Sequence, residues 1–211
     1  MMDQEVLLRG RSFGILGDSY STFRGYIPQG QACYYPNANV EDVLQVEHTW
    51  WHQLMAATGM ELKRNDSYSG ATVCTNTREG QPFSSAFTER AKVSFSGDLP
   101  LDYIILFGGT NDNWLKRTIG QVKFADWTET DLYQVLPAYC FILDYLTKHN
   151  PQSQVIAVLN SGFDPALHSG MLAAATHFGA KIVELETISK QCGHPTALGM
   201  TQIALQIQAS L

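Results

Sequence analysis

The sequence predicts a single three-layer α/β domain, because short apolar runs alternate with helical patterns along the chain. Its 211 residues are ample for one sizeable core and too few for two comfortable ones, so we expect one domain over residues 1–211. Hydrophobic residues make up 45% of the chain and charged residues 16%, a composition typical of a folded protein and not of a disordered one.

Five apolar runs have the length and the Ile and Val content of buried strands. Met60–Arg64, with three charged residues, is the weakest of them. Continuous apolar runs, as opposed to alternating ones, suit a parallel sheet that is covered by helices on both faces. The predicted strands are Ser12–Gly17, Met60–Arg64, Asp102–Phe107, Gln154–Asn160 and Lys181–Leu185.

Helical patterns separate the strands, and the crossovers between parallel strands are expected to be right-handed. Two long connections remain, Tyr20–His48 and Asn113–Glu129, and loops of this length inside a compact domain are commonly functional. The first is rich in aromatic residues and turn formers, so we interpret it as a wall of a substrate pocket. The predicted helices are Thr49–Thr58, Ser85–Lys92, Thr130–His149, Pro165–Phe178 and Thr196–Ser210.

Charge and cysteine content argue against several classes of function. The formal net charge is −6 and Lys and Arg are not clustered, which argues against a nucleic-acid partner. None of the four cysteines lies in a C-x-x-C pair, and His48 and His52 lack the intervening Glu of a zinc-protease motif, so no metal site is expected. The sequence shows neither a signal-peptide pattern nor a long apolar segment, which predicts a cytoplasmic protein without a membrane span.

A serine follows the first predicted strand, in the segment Gly17-Asp18-Ser19. Ligand sites of open α/β sheets lie beyond the carboxyl ends of the strands, so Ser19 would face such a site. Asp18 or Ser19 could instead do no more than cap the next helix, and the tripeptide alone is a weak signal. Gly70, after the second strand, could present a bare backbone N–H to a developing oxyanion or could be an ordinary turn glycine.

Two further segments follow the third and the last predicted strands. Asn111, beside Asp112, could donate its side-chain amide to the same oxyanion or could form an Asx turn. His194 precedes the last helix, where Pro195 restricts the backbone, and could be a general base or a structural histidine. All four segments would meet at one end of one sheet, which would bring together a nucleophile, oxyanion donors and a base.

In these four segments the chain resembles the SGNH, or GDSL-type, hydrolases. The resemblance implies a flavodoxin-like fold with sheet order 2-1-3-4-5 and ester hydrolysis by acyl transfer that requires no metal or organic cofactor. It also implies Ser19 as nucleophile and His194 as general base. The implied oxyanion hole consists of the Ser19 and Gly70 N–H groups and the Asn111 amide, with Asp18 and Asp112 in supporting positions. The motifs that carry the resemblance, between residues 13 and 199, are Gly17-Asp18-Ser19, Gly70, Gly109-x-Asn111-Asp112 and His194-Pro195.

One position departs from the family pattern, because the Asp that usually lies three residues before the histidine is Gln191 in this chain. Glutamine cannot stabilise an imidazolium by charge, although its carbonyl oxygen could accept a hydrogen bond from Nδ1. We favour a Ser–His dyad oriented by a backbone carbonyl, since some family members manage without the Asp. Two alternatives remain, namely a weak or inactive relative, or a substitute carboxylate from Glu184, Glu186 or Asp164.

The sequence therefore predicts a serine esterase that acts on small acyl esters, including O-acetyl groups of carbohydrates. Trp114 and Trp127, in the second long loop, could contact an acyl or sugar group or could simply pack. The main alternative is a catalytically silent binding protein that kept the fold. A flavodoxin-like cofactor-binding protein is disfavoured, because no phosphate-binding loop rich in Gly, Ser or Thr follows the first strand.

Overall fold

Five parallel strands form one sheet in the computed structural model, which describes residues 8–39 and 42–211. The sheet order is β2-β1-β3-β4-β5, which confirms the expected fold and strand order. The order reverses between β1 and β3, so the loops after these two strands flank the crevice where such sheets bind ligands. The strands are β1 (Ser12–Gly17), β2 (Glu61–Ser67), β3 (Tyr103–Phe107), β4 (Gln154–Leu159) and β5 (Lys181–Glu184).

Helices cover both faces of the sheet. An apolar cluster on one face packs α2, α4 and α5 against the sheet, and a second cluster packs α1 and α6 against the other face. Successive strand residues such as Leu16 and Ile15 enter opposite clusters, because side chains alternate along a strand. The helices are α1 (Trp50–Thr58), α2 (Phe87–Ser94), α3 (Thr110–Trp114), α4 (Val135–His149), α5 (Pro165–His177) and α6 (Ala197–Ser210).

Two boundaries and one additional helix differ from the sequence prediction. The second strand extends to Ser67 and not to Arg64, because Asn65, Asp66 and Ser67 pair with the end of β1. The helix predicted from Thr130 begins at Val135, since a short 3₁₀ turn and an extended Gln134 precede it. The short helix α3 lies where a loop was expected. The remaining ends agree with the prediction to within two residues.

A small antiparallel hairpin precedes α6 and carries the predicted histidine. Its strands are β6 (Lys190–Gln191) and β7 (His194–Pro195), joined by Cys192 and Gly193. Both connecting residues have positive φ angles, +49° and +82°, which the tight reversal of the chain requires. Within residues 8–39 and 42–211, no helix is long and apolar enough to cross a membrane.

Candidate active site

Ser19 lies directly beyond the carboxyl end of β1, at the start of a 3₁₀ turn over Ser19–Ser21. The Asp18 carboxylate caps this turn by accepting the backbone N–H of Tyr20 at 3.0 Å. Asp18 is fully buried, and burial raises the pKa of its carboxyl to about 7. The cap and the strand end together hold the Ser19 side chain in place.

The imidazole of His194 contacts the hydroxyl of Ser19. Nε2 of His194 lies 2.9 Å from Oγ of Ser19, which is hydrogen-bond distance between residues 175 positions apart. Ser19 is 2% exposed and His194 is 9% exposed. Ser19, near the start of the sequence, and His194, near its end, therefore form a buried hydroxyl–imidazole pair.

Two tyrosine hydroxyls hold the backbone on either side of His194. The hydroxyl of Tyr20 donates to the carbonyl oxygen of Gly193 at 2.6 Å, and that of Tyr35 donates to the carbonyl oxygen of Pro195 at 2.7 Å. Tyr20 belongs to the turn that contains Ser19, so the same turn holds both partners of the pair. The aromatic residues of the first long loop are divided between two places, because Tyr35 reaches the hairpin of His194 and Tyr26 lies elsewhere, against Phe23 and Trp51.

No carboxylate within the described residues 8–39 and 42–211 forms an ion pair with His194. Its Nδ1 has the carbonyl oxygen of Cys192 as partner, at 3.4 Å, which is long for a hydrogen bond. Burial lowers the pKa of His194 to about 4; the contact with Cys192 opposes this, and the positive charge of Lys190 adds to it. The imidazole is therefore neutral at pH 7 and able to accept a proton.

The candidate substitutes for the family's Asp lie away from His194. Glu184 pairs with His168 at 3.0 Å, and Asp164 caps α5 by accepting the N–H of Ala166 at 2.9 Å. Gln191 is exposed and faces His194 across the hairpin by backbone pairing, and its side chain makes no hydrogen bond to that imidazole among the described residues. The structure brings neither these carboxylates nor the glutamine carbonyl oxygen to Nδ1.

Aromatic rings surround the imidazole. The ring of Tyr34 stacks on that of His194, with centroids 3.5 Å apart and planes 7° from parallel. The rings of Tyr20, Tyr35 and Trp114 lie at centroid distances of 5.6 to 6.4 Å and at steep angles. Sequence reasoning missed the Tyr34 contact, since nothing in the local pattern of the first long loop indicates which of its aromatic residues returns to the sheet edge.

Gly70 occupies a turn in which the carbonyl oxygen of Tyr68 accepts the N–H of Ala71 at 3.2 Å. Its φ angle is +85°, and an added Cβ would lie 3.1 Å from the Gln81 amide nitrogen, so both backbone and space favour glycine. Within the part of the chain that is described, the N–H groups of Ser19 and Gly70 donate to no backbone acceptor. Both remain available to a ligand oxygen.

The first turn of α3 holds the segment that follows Gly70. The Asn111 amide donates to the carbonyl oxygen of Ala71 at 2.9 Å, which leaves its second N–H for another acceptor. The Asp112 carboxylate accepts the N–H groups of Val73 at 2.8 Å and Cys74 at 3.1 Å. The structure thus brings Asn111 beside Gly70 and gives Asp112 a supporting contact.

Residues 11–211 match the family model described as GDSL-like Lipase/Acylhydrolase. The chain belongs to this family. It is therefore an acyl hydrolase by family, which confirms the resemblance seen in the sequence. A comparison with curated proteins found no match.

Solved structures of other proteins share the fold over nearly the whole of this chain. A protein of Bacteroides uniformis, assigned provisionally as a GDSL-like lipase, has 35% identity and a TM-score of 0.89, with 99% of each chain covered. One of Bacteroides ovatus with the same assignment has 35% identity and a TM-score of 0.88, covering 95% of this chain and 97% of that one. A family two carbohydrate esterase from Clostridium thermocellum shares the fold at 14% identity and a TM-score of 0.63, covering 94% of this chain and 62% of that one.

One buried arginine links the two loops that carry the candidate groups in this GDSL-like hydrolase. The Arg90 guanidinium, on α2, donates to the carbonyl oxygens of Gly17 at 2.9 Å and of Asp66, and it forms an ion pair with the Asp66 carboxylate at 3.3 Å. Its Nε donates to the carbonyl oxygen of Ser85 at 2.8 Å. The sequence does not predict these contacts of Arg90, because an isolated charge in a helical pattern does not reveal which strand ends it reaches.

The two tryptophans of the second long loop have different surroundings. Trp127 packs against Phe141 and donates its indole N–H to the carbonyl oxygen of Lys123 at 2.6 Å. Trp114 is 46% exposed and lies beside His194, at a centroid distance of 5.6 Å. Trp127 is therefore a packing residue, and Trp114 is the one placed at the rim of the candidate active site.

Proposed function

We propose that this chain is a serine esterase in which Ser19 is the nucleophile and His194 the general base. The observation that carries the proposal is the 2.9 Å contact between Nε2 of His194 and Oγ of Ser19. A nucleophile within hydrogen-bond reach of a neutral base is the arrangement that acyl transfer requires. The low pKa of His194, about 4, keeps the base unprotonated at pH 7.

The proposed reaction has two steps. His194 takes the proton of the Ser19 hydroxyl as Oγ attacks the ester carbonyl carbon, and the alcohol leaves with that proton. Water then attacks the acyl-enzyme, His194 takes a proton from it, and the acid leaves as Ser19 recovers its hydrogen. The N–H groups of Ser19 and Gly70 and the second amide N–H of Asn111 would stabilise the negative oxygen in both steps.

Orientation of the base would rest on a dyad and not on a triad. Nδ1–H of His194 would donate to the carbonyl oxygen of Cys192, and the hairpin backbone is held by the hydroxyls of Tyr20 and Tyr35. A carbonyl oxygen selects the tautomer with a free Nε2 lone pair, as a carboxylate would. It supplies no full negative charge, so the protonated imidazole has less stabilisation than in a triad.

The substrate class that fits best is a small acyl ester of a carbohydrate. Trp114 presents an exposed aromatic face beside the His194 ring, and aromatic faces pack against the apolar faces of sugar rings as well as against acyl chains. Ser19 is buried and bulky rings surround His194, which favours a short acyl group over a long one.

Hydrolysis of p-nitrophenyl acetate tests the proposed chemistry. We expect Ser19→Ala and His194→Ala each to lower kcat by about 10³-fold or more, since either group alone is ineffective. Ser96→Ala, a change at a surface serine outside the site, is the matched control and should keep full activity. A fluorophosphonate probe should label Ser19 in the wild type and should fail in Ser19→Ala. Equal rates in wild type and Ser19→Ala would refute an esterase of this acyl class.

Acetylated monosaccharides test the substrate class. Trp114→Ala should raise KM for an O-acetylated sugar several-fold and leave KM for p-nitrophenyl acetate nearly unchanged, because only the sugar would reach the indole. Equal changes for both substrates would argue against a sugar contact. Gln191 lies where the family usually has Asp, and this favours a second candidate function, that of a binding protein with low activity. Sugar-ester binding without Ser19-dependent turnover would support that candidate.

A further inference from the structure

The proposed dyad gives the positive charge of protonated His194 no negatively charged partner. In each step of the reaction the imidazole becomes a cation inside a site where it is 9% exposed. A buried charge is unfavourable unless a partner compensates it. Cys192 offers one carbonyl oxygen at 3.4 Å, and the field of Lys190 opposes a second positive charge.

We propose that Tyr34 is a positioning residue for His194, whose ring face stabilises the imidazolium in the place of the family's carboxylate. This inference rests on the proposed function, because only a base that is protonated during the reaction needs such a partner. Tyr34 would touch neither the ester nor the reacting atoms. It would act through the imidazole by fixing its plane and by favouring its charged state.

The stacking geometry supports a cation partner. Centroids 3.5 Å apart with planes 7° from parallel describe rings that overlap almost completely. Neutral aromatic rings avoid this face-to-face arrangement, since their negative faces repel, and prefer offset or edge-to-face contacts. A cation over the ring face is attracted by that same negative charge, within about 6 Å of the centroid. The geometry therefore suits imidazolium over tyrosine better than neutral imidazole over tyrosine.

The backbone of Tyr34 is tied to the nucleophile turn. Its N–H donates to Oγ1 of Thr22 at 3.0 Å, and that hydroxyl donates to the carbonyl oxygen of Ser19 at 2.9 Å. Next along the chain, Tyr35 donates its hydroxyl to the carbonyl oxygen of Pro195. The stacked ring is consequently held relative to both Ser19 and His194, so it can fix the imidazole plane without a carboxylate.

The groups packed around His194 come from three elements besides its own hairpin. Lys190, on β6, is the charged group whose field reaches the imidazole, and Asp18 acts on Lys190 in turn. The other titratable side chains around His194 are those of three tyrosines and one cysteine. They are Tyr20 of the 3₁₀ turn, Tyr34 and Tyr35 of the first long loop, and Cys192 of the hairpin.

Fluorinated phenylalanines at position 34 give the decisive test, because fluorine weakens the negative ring face and hardly changes the shape. Tyr34→Phe should keep kcat within about threefold, since the face remains. The same ring with one, two and three fluorine atoms should lower kcat stepwise, by about tenfold in total, with KM nearly constant. A parallel series at Tyr26, which packs on Phe23 and Trp51, is the matched control and should show no trend.

A second readout separates this inference from the proposed esterase activity. In the Ser19→Ala background, the pKa of His194 measured by NMR should fall stepwise along the position-34 series, because the cation loses its partner. A flat kcat series, or a flat pKa series, would overturn the role of Tyr34 and leave the esterase proposal intact. If the wild type showed no Ser19-dependent activity, the esterase proposal would fail and the NMR titration would still decide whether the ring stabilises the imidazolium.

Discussion

The Asp112 carboxylate accepts the backbone N–H of Val73 at 2.8 Å, and its other oxygen accepts that of Cys74 at 3.1 Å. One buried side chain of α3 thus satisfies two buried donors in the segment that follows Gly70. The neighbouring Asn111 bonds to the same segment. The oxyanion donors proposed from β2 and β3 are therefore held as one unit.

Asp112→Ala should lower the free energy of unfolding by about 3 kcal/mol, because it leaves two buried N–H groups without acceptors. It should also lower kcat, since Gly70 and Asn111 would lose their common support. Urea denaturation and p-nitrophenyl acetate kinetics measure the two effects. Asp98→Ala, at an exposed ion pair with Arg64, is the control and should change neither quantity appreciably. An Asp112→Ala protein of wild-type stability would contradict the supporting role.

Arg90→Met should destabilise the protein by about 3–5 kcal/mol, because it leaves the Asp66 carboxylate buried without its cation. It also removes the donors to the carbonyl oxygens of Gly17 and Ser85. Adding Asp66→Leu should recover part of the loss, since an apolar pair carries no buried charge. Arg24→Met, at an exposed arginine, serves as control. If the double variant were no more stable than the single one, the ion pair would not be the source of the effect.

The acid limb of the pH profile of kcat/KM should reflect the protonation of His194 in the free enzyme. Since its pKa is lowered to about 4, activity should be lost only as the pH falls through that value, and not near 6.5. Lys190→Met removes a positive charge whose field lowers this pKa, so the limb should move to higher pH. Lys148→Met, on the exposed face of α4, should leave the limb in place. A limb near 6.5 in the wild type would contradict the effect of burial.

Asp18→Asn should alter how stability depends on pH. Burial raises the pKa of Asp18 from 3.8 to about 7; Arg90 and Lys190 oppose the rise, and Asp112 adds to it. A raised folded-state pKa gives stability that is complete below about pH 3.8 and is lost as the pH rises to about 7. Asparagine keeps the acceptor for Tyr20 and has no proton to lose.

The stability gained by Asp18→Asn relative to wild type should therefore increase between pH 5 and pH 8. Melting temperatures of both proteins across that range give the measurement. Taking the difference between the two proteins cancels the contribution of His194, whose lowered pKa acts in the opposite direction. A difference that is constant with pH would show that Asp18 does not hold a proton in the folded protein.

The sequence by itself determined the architecture and the order of the motifs. Apolar runs such as Asp102–Phe107 are typical of strands covered on both faces, and their alternation with helical patterns predicts parallel crossovers. Gly17-Asp18-Ser19 and His194-Pro195 follow strands, so their convergence at one sheet edge follows from topology. The strand order came from the resemblance to a family and not from periodicity. The end of the second strand was missed because Asn65 and Asp66 are polar and become strand only by pairing with β1.

Only the tertiary structure decided what surrounds the histidine. His194 contacts Ser19, Tyr34 and Cys192. Tyr34 lies 160 positions away from His194 in the sequence, so no local pattern predicts their contact. The same holds for Arg90, whose donors reach two strand ends. Periodicity reports which face of an element is buried. The contacts between particular polar or aromatic groups depend on how the loops fold over the sheet edge. The loop conformations depend in turn on packing throughout the protein.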